Sequence, residues 1–209
     1  MKLGRNSYQR GYTLFEIALA IAIVAIVIAG ILWYVQSNLQ RISVNKAVVQ
    51  TNSAVSGIHK YFSRDGSFAG ASIEALTNES AEIWSLEYIS NGGTAAAVVT
   101  HPLNGRVLVA SLDQVTEDVP AGQGLVYTLT GVPVASCADL AVAAEGLAFA
   151  ISIRNEQAVN AAPANLAGGT IVKRPRMIMD SAQIHTACSV APVGNSGNQA
   201  TVSFLLRKS

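Results

Sequence analysis

The chain reads as α+β, with a long N-terminal α-helix packed on an antiparallel β-sheet head that carries short helices and one disulfide. Three observations predict this. A 19-residue apolar run, IALAIAIVAIVIAGILWYV from Ile17 to Val35, opens a helical pattern that meets no proline before Pro102. Beyond it, short segments rich in Val, Ile, Leu and Phe alternate with Gly, Pro and Asn, the signature of strands and turns, and they are segregated from the long helix, which favours α+β over α/β. Only two cysteines occur, Cys137 and Cys188, both in the region assigned to the head.

The averages conceal an uneven chain. Its 209 residues are 50% hydrophobic, with 14 Lys+Arg against 13 Asp+Glu. Residues 1–35 hold 24 of the hydrophobic residues, whereas the remaining 174 hold 81, an ordinary share for a globular protein. Composition excludes disordered, collagenous and disulfide-dense scaffolds, and a single long apolar run excludes a polytopic membrane protein. Lys2, Arg5 and Arg10 stand in the first 11 residues with no acid among them, leaving 11 basic against 13 acidic side chains after Gly11. A body so close to neutral has no field to steer nucleic acid or an anionic membrane.

At about 1.5 Å per residue the apolar run makes a helix of roughly 28 Å, close to the hydrocarbon thickness of a bilayer. No charge falls between Glu16 and Arg41. The basic flank favours the cytoplasm, so the rest of the chain is expected on the far side, with Trp33 and Tyr34 at the interface. A secretory signal peptide shares this order. Against it stand the length of the apolar core, the lack of a small-x-small site at Trp33-Tyr34-Val35-Gln36, and Glu16. An ionised side chain at the membrane costs about 2.5–3.5 kcal/mol on insertion scales and marks a functional position.

Gly11-Tyr12-Thr13-Leu14-Phe15-Glu16, with a basic leader before it and the apolar helix directly after, resembles the class III signal of the type IV prepilins. The resemblance proper covers about residues 1–60. It implies that prepilin peptidase cuts between Gly11 and Tyr12, that the new amine on Tyr12 is methylated, and that Glu16 becomes the fifth mature residue. In a filament of packed helices, Glu16 of one subunit would then neutralise the Tyr12 amine of a neighbour. Opposite charges attract strongly at low dielectric, while each alone is expensive to bury.

The implied organisation is a cleaved leader over 1–11, a transmembrane and filament-core half-helix over 12–35, an amphipathic half-helix over 36–62 and a globular head over 63–209. The implied protein is a structural pilus subunit, anchored in the inner membrane with its head in the periplasm and later extracellular. Its partners would be the membrane, prepilin peptidase, an inner-membrane assembly platform, minor pilins and further copies of itself in a helical homopolymer. A minor pilin or a type II secretion pseudopilin shares the N-terminal features. A signal-anchored periplasmic enzyme or binding module is the alternative from another class.

On the amphipathic half, Val35, Leu39, Ile42, Val48 or Val49, Val55, Ile58 and Phe62 predict the buried face. Gly30 and Gly57 are weak points in the helix, and Arg64-Asp65-Gly66 ends it. Strands are predicted over 95–100, 105–112, 124–129, 146–153, 169–173 and 200–206. Short helices are predicted over 80–89, from Ser136-Cys137-Ala138-Asp139 onward, and over 180–187. Asn91-Gly92-Gly93 and residues 194–198 read as exposed turns.

An even cysteine count in an oxidising compartment favours a Cys137–Cys188 disulfide over two buried thiols. The resemblance adds that such a bond delimits the surface-variable region, and the wide spacing, the head size and Tyr12 in place of phenylalanine lean toward a type IVb-like pilin. No metal or cofactor is expected, because His59, His101 and His185 form no ligand pattern with the cysteines. GxSxG, HExxH, P-loop and CxxC motifs are all missing, so the chain does not read as an enzyme. Asn78-Glu79-Ser80 matches a glycosylation sequon. Lys173-Arg174-Pro175-Arg176 is the one basic run of the head, either a solvated loop or a contact to DNA or an acidic surface, which leaves nucleic acid undecided.

Overall fold

The computed structural model describes residues 14–78, 82–155, 161–189 and 199–208. It divides into two compact units, Met1–Gln40 and Arg41–Ser209. Helix α1 (Leu14–Tyr61) is a single 48-residue α-helix that runs through the boundary and closes in a 3-10 turn, Phe62–Arg64, as the Arg64-Asp65-Gly66 stop predicts.

The second unit is a seven-stranded sheet with short helices. Its strands are β1 (Ile89–Ser90), β2 (Val98–Thr100), β3 (Arg106–Ser111), β4 (Gly124–Pro133), β5 (Ala150–Arg154), β6 (Thr170–Lys173) and β7 (Gln199–Arg207). Each predicted strand is present: β4 and β7 are extended, β2, β3 and β6 are trimmed, and β5 starts only at Ala150, after a 3-10 turn over Glu145–Leu147, and runs to Arg154. Every pairing is antiparallel, in the order β1-β2-β3-β4-β7-β5-β6. Strand β7 therefore lies inside the sheet, next to the central β4, hydrogen-bonded to β4 on one side and β5 on the other.

This interior position explains composition. Strands β4 and β7 are buried along nearly their whole length on both faces, so they read as continuous apolar runs rather than alternating ones. One face sends Leu125, Tyr127, Leu129, Val202, Phe204 and Leu206 into the main core, which also holds Val44, Ile58, Leu140 and Ile184 from the helices. The other face sends Val126 and Leu205 against Leu112, Val119 and Leu166 from the covering loops. Between them Thr128 and Ser203 sit opposite each other and share a hydrogen bond of 3.0 Å, so two buried hydroxyls satisfy one another.

Within the second unit, the face of α1 toward the sheet differs from the apolar periodicity. Val55, Ile58 and Phe62 are buried as expected and Val48, the first of the two alternatives, packs against the core while Val49 is exposed at 65%; Ile42 is exposed at 49%, and the seam is completed by Val44, Ala47, Thr51 and Ala54. Close approach of a helix to a sheet rewards small side chains, and the larger Ile42 and Val49 are turned away. Thr51 donates to the Ala47 carbonyl at 2.8 Å, the i−4 bond that lets a hydroxyl sit in a buried helix surface. Gln50 Nε2 donates to the Thr100 carbonyl at 3.0 Å and ties α1 to β2.

Helix α2 (Ile73–Leu76) was not signalled by any apolar period. Its marker is Ser72, which accepts from the Ala75 amide at 3.2 Å as an N-cap. Over the described part of 80–89 the predicted helix is replaced by a 3-10 turn, Leu86–Tyr88, that runs into β1. Helix α3 (Val134–Ala143) starts after Pro133 with no side-chain cap, two residues before the predicted Ser136 start. Helix α4 (Ser181–Ser189) is capped by Asp180, whose Oδ1 accepts from the Ala182 amide at 2.9 Å. Asn91 and Gly93 adopt positive φ at the predicted turn. Residues 194–198 lie outside the described residues.

The β2–β3 connection carries the tightest backbone approach. A Cβ on Gly105 would stand 1.6 Å from the Thr130 carbonyl oxygen, and Gly131, at φ +68°, faces it from the irregular register of β4. Beside them His101 is buried. Its Nδ1 accepts from the Leu103 amide at 3.2 Å, which assigns the proton to Nε2, donated to the Thr130 carbonyl at 2.8 Å. Burial lowers its pKa from 6.5, the bond to Thr130 opposing this only in part.

Protonation would place a hydrogen on Nδ1 against the Leu103 N–H. The unfolded chain binds that proton below about pH 6.5 and the folded chain does not, so the stability His101 contributes is complete above 6.5 and is lost as pH falls below it. His59, lowered first by burial and then by Lys208, adds to the same slope. Urea unfolding of His101→Gln is expected to show a shallower loss of stability than wild type between about pH 6.5 and 5; an identical slope would remove His101 as its source.

A second buried group gives a complementary test. Tyr127 is fully buried, which pushes its phenol up to about 12, with Trp84 and Thr51 pulling weakly the other way. Neither contact reaches hydrogen-bond geometry, and both the Tyr127 hydroxyl and Trp84 Nε1 are buried without a partner. A buried unsatisfied hydroxyl costs about 1–3 kcal/mol, so Tyr127→Phe is expected to leave unfolding free energy unchanged or raise it by about 1 kcal/mol; a comparable loss would mean that the hydroxyl bonds to Trp84 or Thr51.

Candidate assembly site

In the first unit α1 carries apolar side chains on every side. Leu14 is 88% exposed, Phe15 76%, and the series through Ile17, Ile26 and Trp33 to Val35 has no member buried by the chain. This surface is far larger than the few hundred Å² that a soluble monomer tolerates. The segment is long and apolar enough to cross a membrane. Its polar limit is sharp: Ser37 Oγ and Asn38 Nδ2 each donate to the Tyr34 carbonyl at 2.9 Å, at the position where the aromatic pair ends the apolar run.

Glu16 lies in the first turn of α1 and is exposed. A carboxylate there faces unsatisfied backbone N–H groups and the positive end of the helix dipole, a favourable placement. The expected processing residues, Gly11 and Tyr12, lie outside the described residues. Of the sequence-derived site residues, Glu16 alone is thus placed on α1, within its first described turn.

The two cysteines are joined. Cys137 on α3 and Cys188 on α4 form a disulfide with Cα atoms 5.9 Å apart, across a sequence separation of 51. Both are buried beside Leu140 and Ile184, over the β5–β7 side of the sheet. The bond ties α4 to α3 above the strands on which both helices pack.

The basic run is not a patch. Lys173 Nζ donates to the carbonyls of Glu145 and Ala148, capping the 3-10 turn Glu145–Leu147. Arg174 Nε pairs with Glu117 at 3.7 Å. Arg176 takes a positive φ of 63° in the following turn. Three cations that point to three different tasks do not form the clustered footprint that a phosphate backbone needs.

Among the described residues no group of His, Cys, Asp and Glu is placed to hold a metal. His101 uses both ring nitrogens within the fold, His59 stacks edge-on against Phe68 at 5.6 Å, and His185 lies exposed on α4. Sequence reasoning missed Lys208, whose Nζ donates to the Phe62 carbonyl at the end of α1. No motif announces it, because donor and acceptor are 146 residues apart.

Residues 6–32 match the family model of the prokaryotic N-terminal methylation motif. The major structural subunit of bundle-forming pilus from Escherichia coli O111:H- is 28% identical over 159 residues, covering 74% of this chain and 77% of that one. Its counterpart from Escherichia coli O127:H6 is 28% identical over 140 residues, 67% of each chain. Among solved structures, the type IV pilin TcpA from the Vibrio cholerae El Tor biotype aligns with a TM-score of 0.52 at 18% identity, covering 78% of this chain and 98% of that one. The fold is that of a type IV pilin. The residues that match the methylation motif form the start of α1 in this fold.

Reduction isolates the contribution of the disulfide. Closing a loop of this size stabilises a fold by about 4 kcal/mol in the chain-entropy model, so the Cys137→Ala/Cys188→Ala pair is expected to lower urea-unfolding free energy by about 2–4 kcal/mol; a loss below about 1 kcal/mol would mean that α3 and α4 dock without it.

Proposed function

We propose that the chain is a structural subunit of a type IV pilus. It is stored in the inner membrane through α1 with its head in the periplasm, cut by prepilin peptidase between Gly11 and Tyr12, methylated on Tyr12 and polymerised into an extracellular filament. The observation that carries this reading is the all-round exposure of apolar α1 with Glu16 in its first turn, at the head of a pilin fold. The separation of Cys137 and Cys188 supports the type IVb-like subclass.

Glu16 supplies register. A seam of Ile, Val, Ala and Leu has many sliding positions of similar energy, whereas a carboxylate and an amine meet at one. At 4 Å and an effective dielectric of 20 their attraction is about 4 kcal/mol, and a shifted register forfeits it and leaves both charges in apolar surroundings. The amine becomes available only when the leader is removed, so processing gates assembly.

Mass spectrometry of the protein from membranes is expected to find an N-methylated tyrosine start at Tyr12. A start at Met1, or after Val35, would defeat this reading. Glu16→Ala is expected to be processed and retained in the membrane while sheared filaments fall at least about tenfold; normal filament yield would remove Glu16 from assembly.

A further inference from the structure

The chain has 14 lysines and arginines, of which Lys2, Arg5 and Arg10 precede Gly11. The other eleven lie among the described residues, and the backbone around them is regular almost throughout. Three belong to α1, one to the 3-10 turn that closes it, and four to β3, β5, β6 and β7. Lys208 follows β7 directly, its amide donating to the Gln123 carbonyl at 3.0 Å and its Nζ to that of Phe62.

Arg174 and Arg176 are the exceptions. They stand in irregular backbone between the end of β6 at Lys173 and the start of α4 at Ser181. One backbone hydrogen bond holds their turn, from the Met177 amide to the Arg174 carbonyl at 3.2 Å. Its flanks are anchored: Lys173 reaches the Glu145 and Ala148 carbonyls, and Asp180 caps α4, which the disulfide ties to α3. Beyond Arg176, Met177 and Ile178 are 61% and 94% exposed. A prominent loop between fixed ends, with few bonds to break, opens locally while the rest of the fold stays shut.

The two arginines differ in chemistry. Pro175 follows Arg174, so that bond has no N–H and carries a ring where an endopeptidase holds the leaving side. Met177 follows Arg176 with an ordinary amide. Arg176 also takes φ +63°, a left-handed conformation costly to a residue with a Cβ. A protease cleft takes its substrate as an extended strand, and drawing Arg176 into that shape relieves the cost. Its guanidinium suits the carboxylate of a trypsin-type specificity pocket. The nearest competitor is Arg64, but its bond leads into Asp65, whose amide donates to the Phe62 carbonyl at 3.1 Å and whose charge opposes that carboxylate.

We propose that the Arg176–Met177 bond is a processing site for a trypsin-type endopeptidase, and that the cut head persists as two chains. One water is consumed: the carbonyl carbon of Arg176 gains its hydroxyl and ends as a carboxylate, and the nitrogen of Met177 gains the protons and ends as an amine. The C-terminal piece, residues 177–209, stays in place. Its β7 is hydrogen-bonded to β4 and β5, and its Cys188 remains joined to Cys137. A disulfide that closes a loop within one chain thereby becomes the covalent link between two.

This inference goes beyond the pilus reading and stands without it. The full chain, purified from membranes in detergent and treated with a trace of trypsin, is expected to be cut first, among bonds after Gly11, at Arg176–Met177. The cut protein is expected to run as one species without reductant and as two with it, the smaller beginning at Met177, and to keep the far-UV circular dichroism of uncut protein. Arg176→Gln is expected to slow the first cleavage at least about tenfold, whereas Arg176→Lys and Arg174→Gln leave it close to wild type, all three with the wild-type melting temperature. First cleavage at another bond after Gly11, an equal rate for Arg176→Gln, or resistance of the folded chain under conditions that digest it once unfolded would overturn the processing site. Separation of the fragments without reductant would overturn the two-chain head.

Discussion

The apolar surface of α1 between Leu14 and Val35 is the constraint on which the rest depends, because none of the described residues covers it. At about 25 cal/mol per Å², surface of this extent cannot remain in water. Two environments accept it, hydrocarbon and a packed array of the same helix. Moving between them brings little hydrophobic gain, since lipid tails are as apolar as Leu and Ile. The apolar segment therefore makes assembly permissible without driving it. Drive and register must come from polar or shape-specific contacts, which is why one carboxylate among apolar neighbours carries so much of the functional argument.

The same helix obeys a different rule from Arg41 onward. There it is one layer of a two-layer head, and its contact residues shrink to Ala47, Thr51 and Ala54 so that it can lie close to the sheet. The sheet in turn is completed by the last strand of the chain, inserted between β4 and β5. Long-range pairing of this kind is slow to form because loop closure precedes any reward. Two ties then fix the result: the disulfide joins α3 to α4, and Lys208, just past β7, reaches the Phe62 carbonyl at the end of α1. The head is thereby fastened to the end of α1 by the residue that follows β7.

How much of this was legible depended on whether the signal was local. The apolar run, the six longer strands and the short helix α4 are patterns within a few residues, and each is found, whereas the capped start read at Ser136 is not. The buried face of α1 was legible at Val48, Val55, Ile58 and Phe62; periodicity weighs large apolar residues, so it overlooked the small Ala47, Thr51 and Ala54 that packing against a sheet selects and wrongly included Ile42. The 80–89 segment misled for the opposite reason. Ile83 and Trp84 are buried, but in an irregular strand-edge segment instead of a helix. The two-residue β1 and the four-residue α2 are too short to show a period. Lys173, Arg174 and Arg176 looked like one feature in sequence and proved to be three, since only tertiary neighbours decide where a long side chain ends. The interior place of β7 had no sequence marker at all.

Directionality closes the argument. A filament held only by the apolar seam of α1 would be indifferent to small sliding, since each step exchanges one aliphatic contact for another of equal worth. One ionic contact near the start of the helix fixes the axial position but leaves rotation about the helix axis weakly determined. A second contact on the head, far from the axis, would fix that rotation, because the same angular error displaces outer atoms further than inner ones.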